Sequence, residues 1–524
     1  MASLRPELNN IMKQSEEIEH GTSTRYILKP KIKSNDESES YRKMIFGERN
    51  KNKPHKIILM VGETGTGKTT LLNTMINYML GVQREDKVWF QISDDQSDRT
   101  SAHSQTSKIT VYGFYPQESK TDLTIIDTPG YGDTRGADID KEIAESLFSF
   151  NKSEGINELH AVCLVIKASQ NRLTDRQIYI FDSVQSLFGR DIIENILLLF
   201  TYSNGRTPKN ALTAVKEAKI KSAVNDKNQP VFFLFDNCQS EADDEDDDED
   251  NDDQSWNLSF KEMGKFFKFL ETIKPKSLEK TQDVLQKRKQ LEANISNLQS
   301  RVHLTELKRN ELKQTQEALE QNREQAQQNK NFEYEVEVPY KERVNINPAV
   351  ASAAVCCTVC KENCHYPGCW WFTRLSWCEV MKNSRCTVCT NRCALSEHVK
   401  EAKIYVTKTK RVKKTYDDLK QKYDEKIGNA ESLGSLVKKL EKELQELEED
   451  KIKLVNESVD CVETLQKIAL NTDSLITLLH ADFLIEKLKE INEPEKAKKL
   501  EEMKKKAGEE KKGALGYFKS LFKM

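Results

Sequence analysis

Eight residues carry the densest chemical signal in the chain: Gly62, Glu63, Thr64, Gly65, Thr66, Gly67, Lys68 and Thr69, spaced as GxxxxGKT directly after the apolar run KIILMV. A glycine-rich turn between a strand and a helix can wrap its backbone N–H groups around an anion, because no Cβ holds the charged oxygens away. Lys68 then belongs against β and γ phosphates, and the Thr69 hydroxyl against magnesium, with Thr70 continuing the same helical turn. Further along, Asp127, Thr128, Pro129 and Gly130 follow a second apolar run, LTII. A carboxylate at a strand end can hold magnesium through water, and the Gly130 amide can read a γ phosphate that departs on hydrolysis. Between these motifs the polar stretch 98–106 offers a threonine that could ligate magnesium and place the attacking water. Thr106, just before the strand starting near Ile109, is the favoured residue, and Thr100 is its rival.

Nine of the 12 cysteines lie between Cys356 and Cys393. They form two echoes, CTVCKENC from Cys357 to Cys364 and CTVCTNRC from Cys386 to Cys393. Two residues between paired cysteines let a turn aim both thiolates at one ion, so the repetition predicts tetrahedral zinc before disulfides or iron–sulfur. The expected donors are Cys357, Cys360, Cys364, His365, Cys369, Cys386, Cys389, Cys393 and His398, enough for two ions. Spacing leaves open which donor serves which ion, and whether Cys356, Cys369 and Cys378 serve either. No acid–base pair suited to hydrolysis lies nearby, which predicts a structural metal.

Strand-sized apolar runs at 56–61, 109–111, 123–126, 161–166, 196–200 and 231–235 alternate with helix-sized stretches, which predicts a mostly parallel sheet with helices on both sides. Residues 1–50 read as a polar arm with a short helix, and residues 51–273 as the first domain. Its acidic run 241–253, where 11 of 13 residues are Asp or Glu, reads as a solvated loop. Val284, Leu291, Leu298, Leu312 and Leu319 fall at seven-residue steps with Thr305 between them, predicting a coiled coil over 274–330 that pairs in trans or folds back in cis. A cysteine-rich module follows at 331–398, opened by a strand-like alternation at 333–338. A helical region at 399–493 carries a second heptad through Leu433, Leu440, Leu447 and Leu454, and Pro494 is expected to interrupt or kink it. The charged tail, 494–524, ends in aromatics that read as a self-packed or frayed end, or as a contact with membrane or partner.

Composition sets the limits. Lys and Arg number 81 against 84 Asp and Glu, a net charge of −3, which argues against a general nucleic-acid binder needing a strong positive field. With 37% hydrophobic and 31% charged residues, the chain suits a globular domain joined to long charged helices. The first residues have no apolar run resembling a signal peptide, and no stretch approaches the roughly 20 apolar residues of a membrane span. Membrane contact has no other support in the sequence. The expected location is the cytoplasm, where cysteines stay reduced.

Taken together, these motifs resemble AIG1-type and septin-like GTPases of the TRAFAC class, in particular G-domain proteins with a coiled coil. GETGTGKTTLLN from Gly62 looks like the family's phosphate loop, SQTSKITVY from Ser104 its first switch, and DTPGYGDTRG from Asp127 its second. The resemblance implies a Ras-like P-loop NTPase domain of three α/β layers, followed here by the coiled coil, a small zinc module and C-terminal helices. It also implies magnesium-dependent hydrolysis of GTP to GDP. The base-recognition segment reads FTYSNG, lacking the family's usual lysine and aspartate, so Asn204 and, in the later FDN, Asn237 are the implied base contacts. This departure keeps ATP as an alternative to GTP. No glutamine follows Asp127 to Gly130, which predicts slow turnover; the resemblance gives Thr106 and a dimer-supplied group that task. Homodimers or homo-oligomers and protein partners along the coiled coils are the expected assemblies. Two alternatives stay open: a nucleotide-bound scaffold with negligible turnover, and an ATP-driven mechanoenzyme.

Overall fold

A strand covered on both faces is apolar at successive positions, and the chain carries several such runs. In the computed structural model, which describes residues 6–19, 23–34, 41–92, 109–117, 119–128, 157–237, 249–328, 330–348, 351–366, 374–378, 380–424, 433–472, 474–507 and 510–521, they assemble into one eight-stranded mixed sheet. In chain order the first elements are α1 (Pro6–Lys13), β1 (Ser15–Glu19), β2 (Thr24–Leu28), β3 (Ile32–Ser34), β4 (Tyr41–Gly47), β5 (His55–Val61) and α2 (Lys68–Met79). Then come β6 (Val88–Gln91), β7 (Ile109–Tyr115), β8 (Asp122–Asp127), β9 (Glu158–Leu159), β10 (Ala161–Lys167), α3 (Asp175–Ser186), β11 (Ile196–Thr201), α4 (Lys209–Glu217), β12 (Phe232–Leu234), α5 (Glu249–Thr272) and β13 (Lys276–Ser277). The sheet order is β12-β11-β10-β5-β8-β7-β4-β3. Only the β7–β8 and β3–β4 pairs are antiparallel.

Successive side chains of the central strands enter different cores. Ile57, Leu59 and Val61 of β5 join Val162, Leu164 and Ile166 of β10 on one face, covered by Ile178, Phe181 and Val184 of α3 and Ala214 and Val215 of α4. Ile58 and Met60 join Cys163 and Val165 on the other, covered by Leu72, Met75 and Ile76 of α2 and Met263, Phe266 and Leu270 of α5. The result is a mixed α/β, P-loop NTPase-like domain with helices on both sides of the sheet.

The N-terminal segment departs from the expected polar arm. It supplies the predicted short helix, but β4 also pairs in register with β7 from Tyr41↔Ile109 to Gly47↔Tyr115, and β3 extends that edge. The cause is tertiary: Tyr41, Met44 and Phe46 are buried against the sheet, a gain invisible in a polar stretch read alone.

The structure divides into two compact units: residues 1–285, 466–479 and 503–524, and residues 286–465 and 480–502. The long helix α6 (Glu279–Gln321) runs into the second unit. That unit holds a hairpin of β14 (Glu333–Asn345) and β20 (Lys403–Thr415), paired over 13 positions. Between them lie β15 (Ala354–Cys357), β16 (Glu362–His365), β17 (Met381–Lys382), β18 (Arg385–Cys386) and β19 (His398–Glu401). Helices α7 (Tyr416–Asp424), α8 (Leu433–Ile468), α9 (Leu475–Glu490) and α10 (Pro494–Lys506) follow. Residues 399–401 and 403–415, expected to open a helical region, are strand instead. Ile404, Val406, Thr407, Thr409 and Val412 are β-branched, and each is held opposite a residue of β14.

The seam predicted along α6 is buried at Val284, Leu291, Leu298, Thr305 and Leu319. Within the second unit it runs antiparallel to α8: Asn294 lies by Cys461 at 4.0 Å, Arg301 by Asp450 at 3.6 Å, and Lys308 by Glu443 at 4.0 Å. Pro494 starts α10, since a first-turn proline forfeits no helical hydrogen bond.

At the chain end, read from the sequence as self-packed or frayed, the described residues are self-packed. Helix α11 (Glu510–Leu521) belongs to the first unit, where Tyr517 meets the Tyr179 ring edge-on at 5.9 Å. The Lys511 ammonium lies 2.7 Å from Asp182 of α3, and both side chains are buried. Asp182 also accepts from the Asn471 amide at 2.7 Å and from the Leu475 backbone N–H at 2.9 Å. Among the described residues no helix is long and apolar enough to cross a membrane.

Two histidines flank the start of β5. The Ile57 N–H donates to His160 Nδ1 at 3.2 Å, and His55 Nε2 meets the Thr124 hydroxyl at 2.8 Å. Burial holds both rings down to about 4, helped by Arg49 at His55 and by Lys56 and His55 at His160. A ring whose pKa is depressed in the fold gives stability that is complete above its unfolded value, near 6.5, and is lost as pH falls toward 4. Urea midpoints should therefore hold level down to about pH 6.5 and drop below it. His160→Gln should flatten that part of the curve.

Candidate nucleotide site and candidate metal centre

The phosphate-loop sequence becomes a defined cradle at the C-terminal end of β5. Gly65 and Gly67 take φ of 77° and 78°, a region side chains disfavour. Gly67 caps α2 without a side-chain bond, leaving the first-turn N–H groups of the helix uncapped by any side chain, as anion binding requires. The Thr66 hydroxyl donates to the Glu63 carbonyl at 2.8 Å, and the Thr201 hydroxyl, from the end of β11, donates to the Thr66 carbonyl at 2.6 Å. At Gly62 a Cβ would stand 2.8 Å from Thr66 Oγ1 and 2.9 Å from the Val165 carbonyl oxygen. Gly62→Ala must therefore displace the loop, at about 1–3 kcal/mol. We expect at least a tenfold loss of nucleotide affinity, read by titration with a fluorescent nucleotide.

Lys68 and Asp127 meet because β5 and β8 are parallel neighbours in the register Met60↔Asp127. Lys68 Nζ donates to Asp127 Oδ1 at 2.8 Å and to the Thr128 carbonyl at 2.5 Å, with both side chains buried. The Thr128 hydroxyl donates back to the Met60 carbonyl at 3.0 Å, locking the two strand ends together. Burial pushes the Asp127 carboxyl up, and Lys68 opposes that shift. Thr69 and Thr70 are half-buried at the first turn of α2, while Thr64 and Gly65 are exposed.

The asparagines lie at the ends of adjacent strands. Asn204 follows β11, is exposed, and accepts from the Arg206 N–H at 3.1 Å beside a cavity of about 380 Å³ lined also by Asn171, Tyr202 and Lys209. Asn237 follows β12, and its side-chain oxygen lies 3.2 Å from the Thr74 hydroxyl of α2 and 3.3 Å from the Ser259 hydroxyl of α5. Thr106, its rival Thr100, and Gly130 lie outside the described residues. Sequence reading missed Thr201, whose strand-end position carries no motif, and Arg176, which sits 3.9 Å from Glu63. Burial raises the Glu63 carboxyl, against the pull of Arg176 and Lys167. Arg176 had one readable signal, the capping box of Thr174 and Gln177 that starts α3.

In the cysteine-rich module two four-residue groups have ligand atoms within 4.8 Å of one another: Cys357, Cys360, Cys389 and Cys393, and Cys364, Cys386, Cys389 and His398. Every member except Cys360 is buried, and the sulfurs of Cys360 and Cys393 lie 3.6 Å apart. This is a Cys/His cluster with the donor chemistry of a metal site. His365, expected among the ligands, is in neither group, and its Nδ1 lies 3.2 Å from the Cys378 sulfur. Cys369 lies outside the described residues.

Residues 56–251 match the AIG1 family model. The chain thus contains an AIG1-type P-loop GTPase domain of the TRAFAC class over part of its length. No curated protein matches it. Among solved structures, Toc33 from Arabidopsis thaliana in complex with Mg2+ and GMPPNP is 15% identical, over 43% of this chain and 88% of that one, with a TM-score of 0.28. The same protein with GDP and Mg2+ is 16% identical over 41% and 84%, with a TM-score of 0.25. A bacterial selenocysteine-specific elongation factor, EF-Sec, is 13% identical over 42% and 29%, with a TM-score of 0.25.

Proposed function

We propose that the protein binds GTP with magnesium and hydrolyses it slowly to GDP and phosphate, using the cycle to control homodimerisation or assembly. The carrying observation is the 2.8 Å approach of Lys68 to Asp127 at the mouth of the phosphate loop. In this reading Gly62 to Thr70 wrap the phosphates, and Lys68 balances charge on the β and γ oxygens. Thr69, Asp127 and Thr106 hold magnesium, which when bound neutralises developing phosphate charge. Thr106 also places the attacking water, Gly130 reads the γ phosphate, and Asn204 and Asn237 face the guanine. The AIG1 match over 56–251 supports GTP over ATP. The cysteine cluster holds zinc for structure, and the long helices carry protein partners. The cytoplasm suits this reading, because reduced thiols stay available as ligands there.

Co-purifying nucleotide identified by chromatography, followed by hydrolysis measured against protein concentration, tests the reading. Guanine nucleotide and turnover per chain that rises with concentration are the expected results. Adenine nucleotide, or fast cleavage by dilute monomer, would overturn it. One contact favours a second reading: the bond from Lys68 engages the carboxylate assigned to magnesium, which suits a scaffold that keeps nucleotide for assembly with negligible turnover. Bound guanine nucleotide without turnover at any concentration would select that reading.

A further inference from the structure

The described donors of the cysteine cluster do not divide into two independent sets of four. Among the described residues Cys389 belongs to both groups, so seven described side chains surround two ligand positions. Two tetrahedral zinc ions need eight donor contacts, and seven side chains supply eight only when one of them binds both ions. A thiolate can do this, since its sulfur has lone pairs for two metals, and Cys389 is the one sulfur common to both groups. We propose that the module holds a dinuclear zinc centre with six cysteines and one histidine, in which the Cys389 thiolate bridges the ions. This rests on the zinc reading above.

The surrounding bonds suit that assignment. His398 Nδ1 lies 2.8 Å from the Ala394 carbonyl, a bond that places the proton on Nδ1 and leaves the lone pair on Nε2. That Nε2 is buried with no hydrogen-bond partner, and His398 is 3% exposed. Backbone N–H groups donate to the sulfurs at 3.3 Å: Cys360 to Cys357, Val388 and Cys389 to Cys386, and Cys393 to Cys389. Such bonds offset thiolate charge and hold the sulfurs in place. The remaining described cysteines of the module are engaged elsewhere. Cys356 points at Asn363 Oδ1 and the Lys403 carbonyl, and Cys378 pairs with His365.

The test measures zinc by mass spectrometry in the full chain purified without chelator, alongside Cys357→Ala and Cys389→Ala. Two zinc ions per chain are expected in the parent, one in Cys357→Ala and none in Cys389→Ala. Because the last variant can lose its fold, the parent is also loaded with cadmium-113, where two mutually split resonances report a shared sulfur. Two unsplit resonances, or one ion retained in Cys389→Ala, would overturn the bridge and leave the zinc reading standing. A parent chain without zinc would overturn both.

Discussion

Lys68→Ala is expected to weaken GTP binding about 100-fold, since charge-assisted hydrogen bonds are worth about 1.5–3 kcal/mol each and the proposed function has the lysine making them to phosphate oxygens. It should also destabilise the nucleotide-free protein. Lys68 and Asp127 are 6% and 2% exposed at the side chain, and removing one partner of a buried pair leaves the other charge uncompensated, at about 3–5 kcal/mol. The two effects can be separated. In the double variant Lys68→Ala with Asp127→Ala, no orphaned charge remains, so the urea midpoint should recover toward the parent while binding does not. Isothermal titration and urea unfolding on the same four proteins give the complete cycle. Binding within threefold of the parent in Lys68→Ala would remove this lysine from the phosphate site.

Asp182→Ala should be the most damaging change away from the nucleotide. Its carboxylate accepts from the Lys511 ammonium, the Asn471 amide and the Leu475 N–H, tying residues near the chain end to α3. Truncation removes the anion facing a buried ammonium and the carboxylate acceptor of two further donors, and about 3–5 kcal/mol is the expected loss. Local detachment should come before global unfolding, because α11 contributes little to the sheet itself. Hydrogen exchange should speed up in 510–521 while β5, β10 and β11 stay protected. Uniform loss of protection would instead make the contact part of the domain's core stability. Asp182→Asn should recover part of the stability, since it keeps the shape and an acceptor.

The strands of the central sheet were legible because burial on both faces writes itself as consecutive apolar residues, as in His55–Val61 and Ala161–Lys167. The phosphate loop was legible because glycine is the residue favoured at the left-handed positions Gly65 and Gly67. Strand β4 was not, because its value lies in a neighbour, β7, more than 60 positions away in the chain. Strand β20 was hidden by its lysines, which read as a helical surface until β14 is set opposite them.

Composition and spacing alone predicted a phosphate-cradling turn paired with a magnesium-type carboxylate, and crowded cysteines that suit a metal. These follow from local chemistry, since each motif states its own residues and intervals. Only the tertiary structure decided that the Lys68 ammonium rests on Asp127 and the Thr128 carbonyl, that the chain end returns to α3 through Asp182, and that Cys389 stands in both donor groups. Those are distances between residues remote in sequence. They are set by strand register and helix packing, which no window along the chain contains.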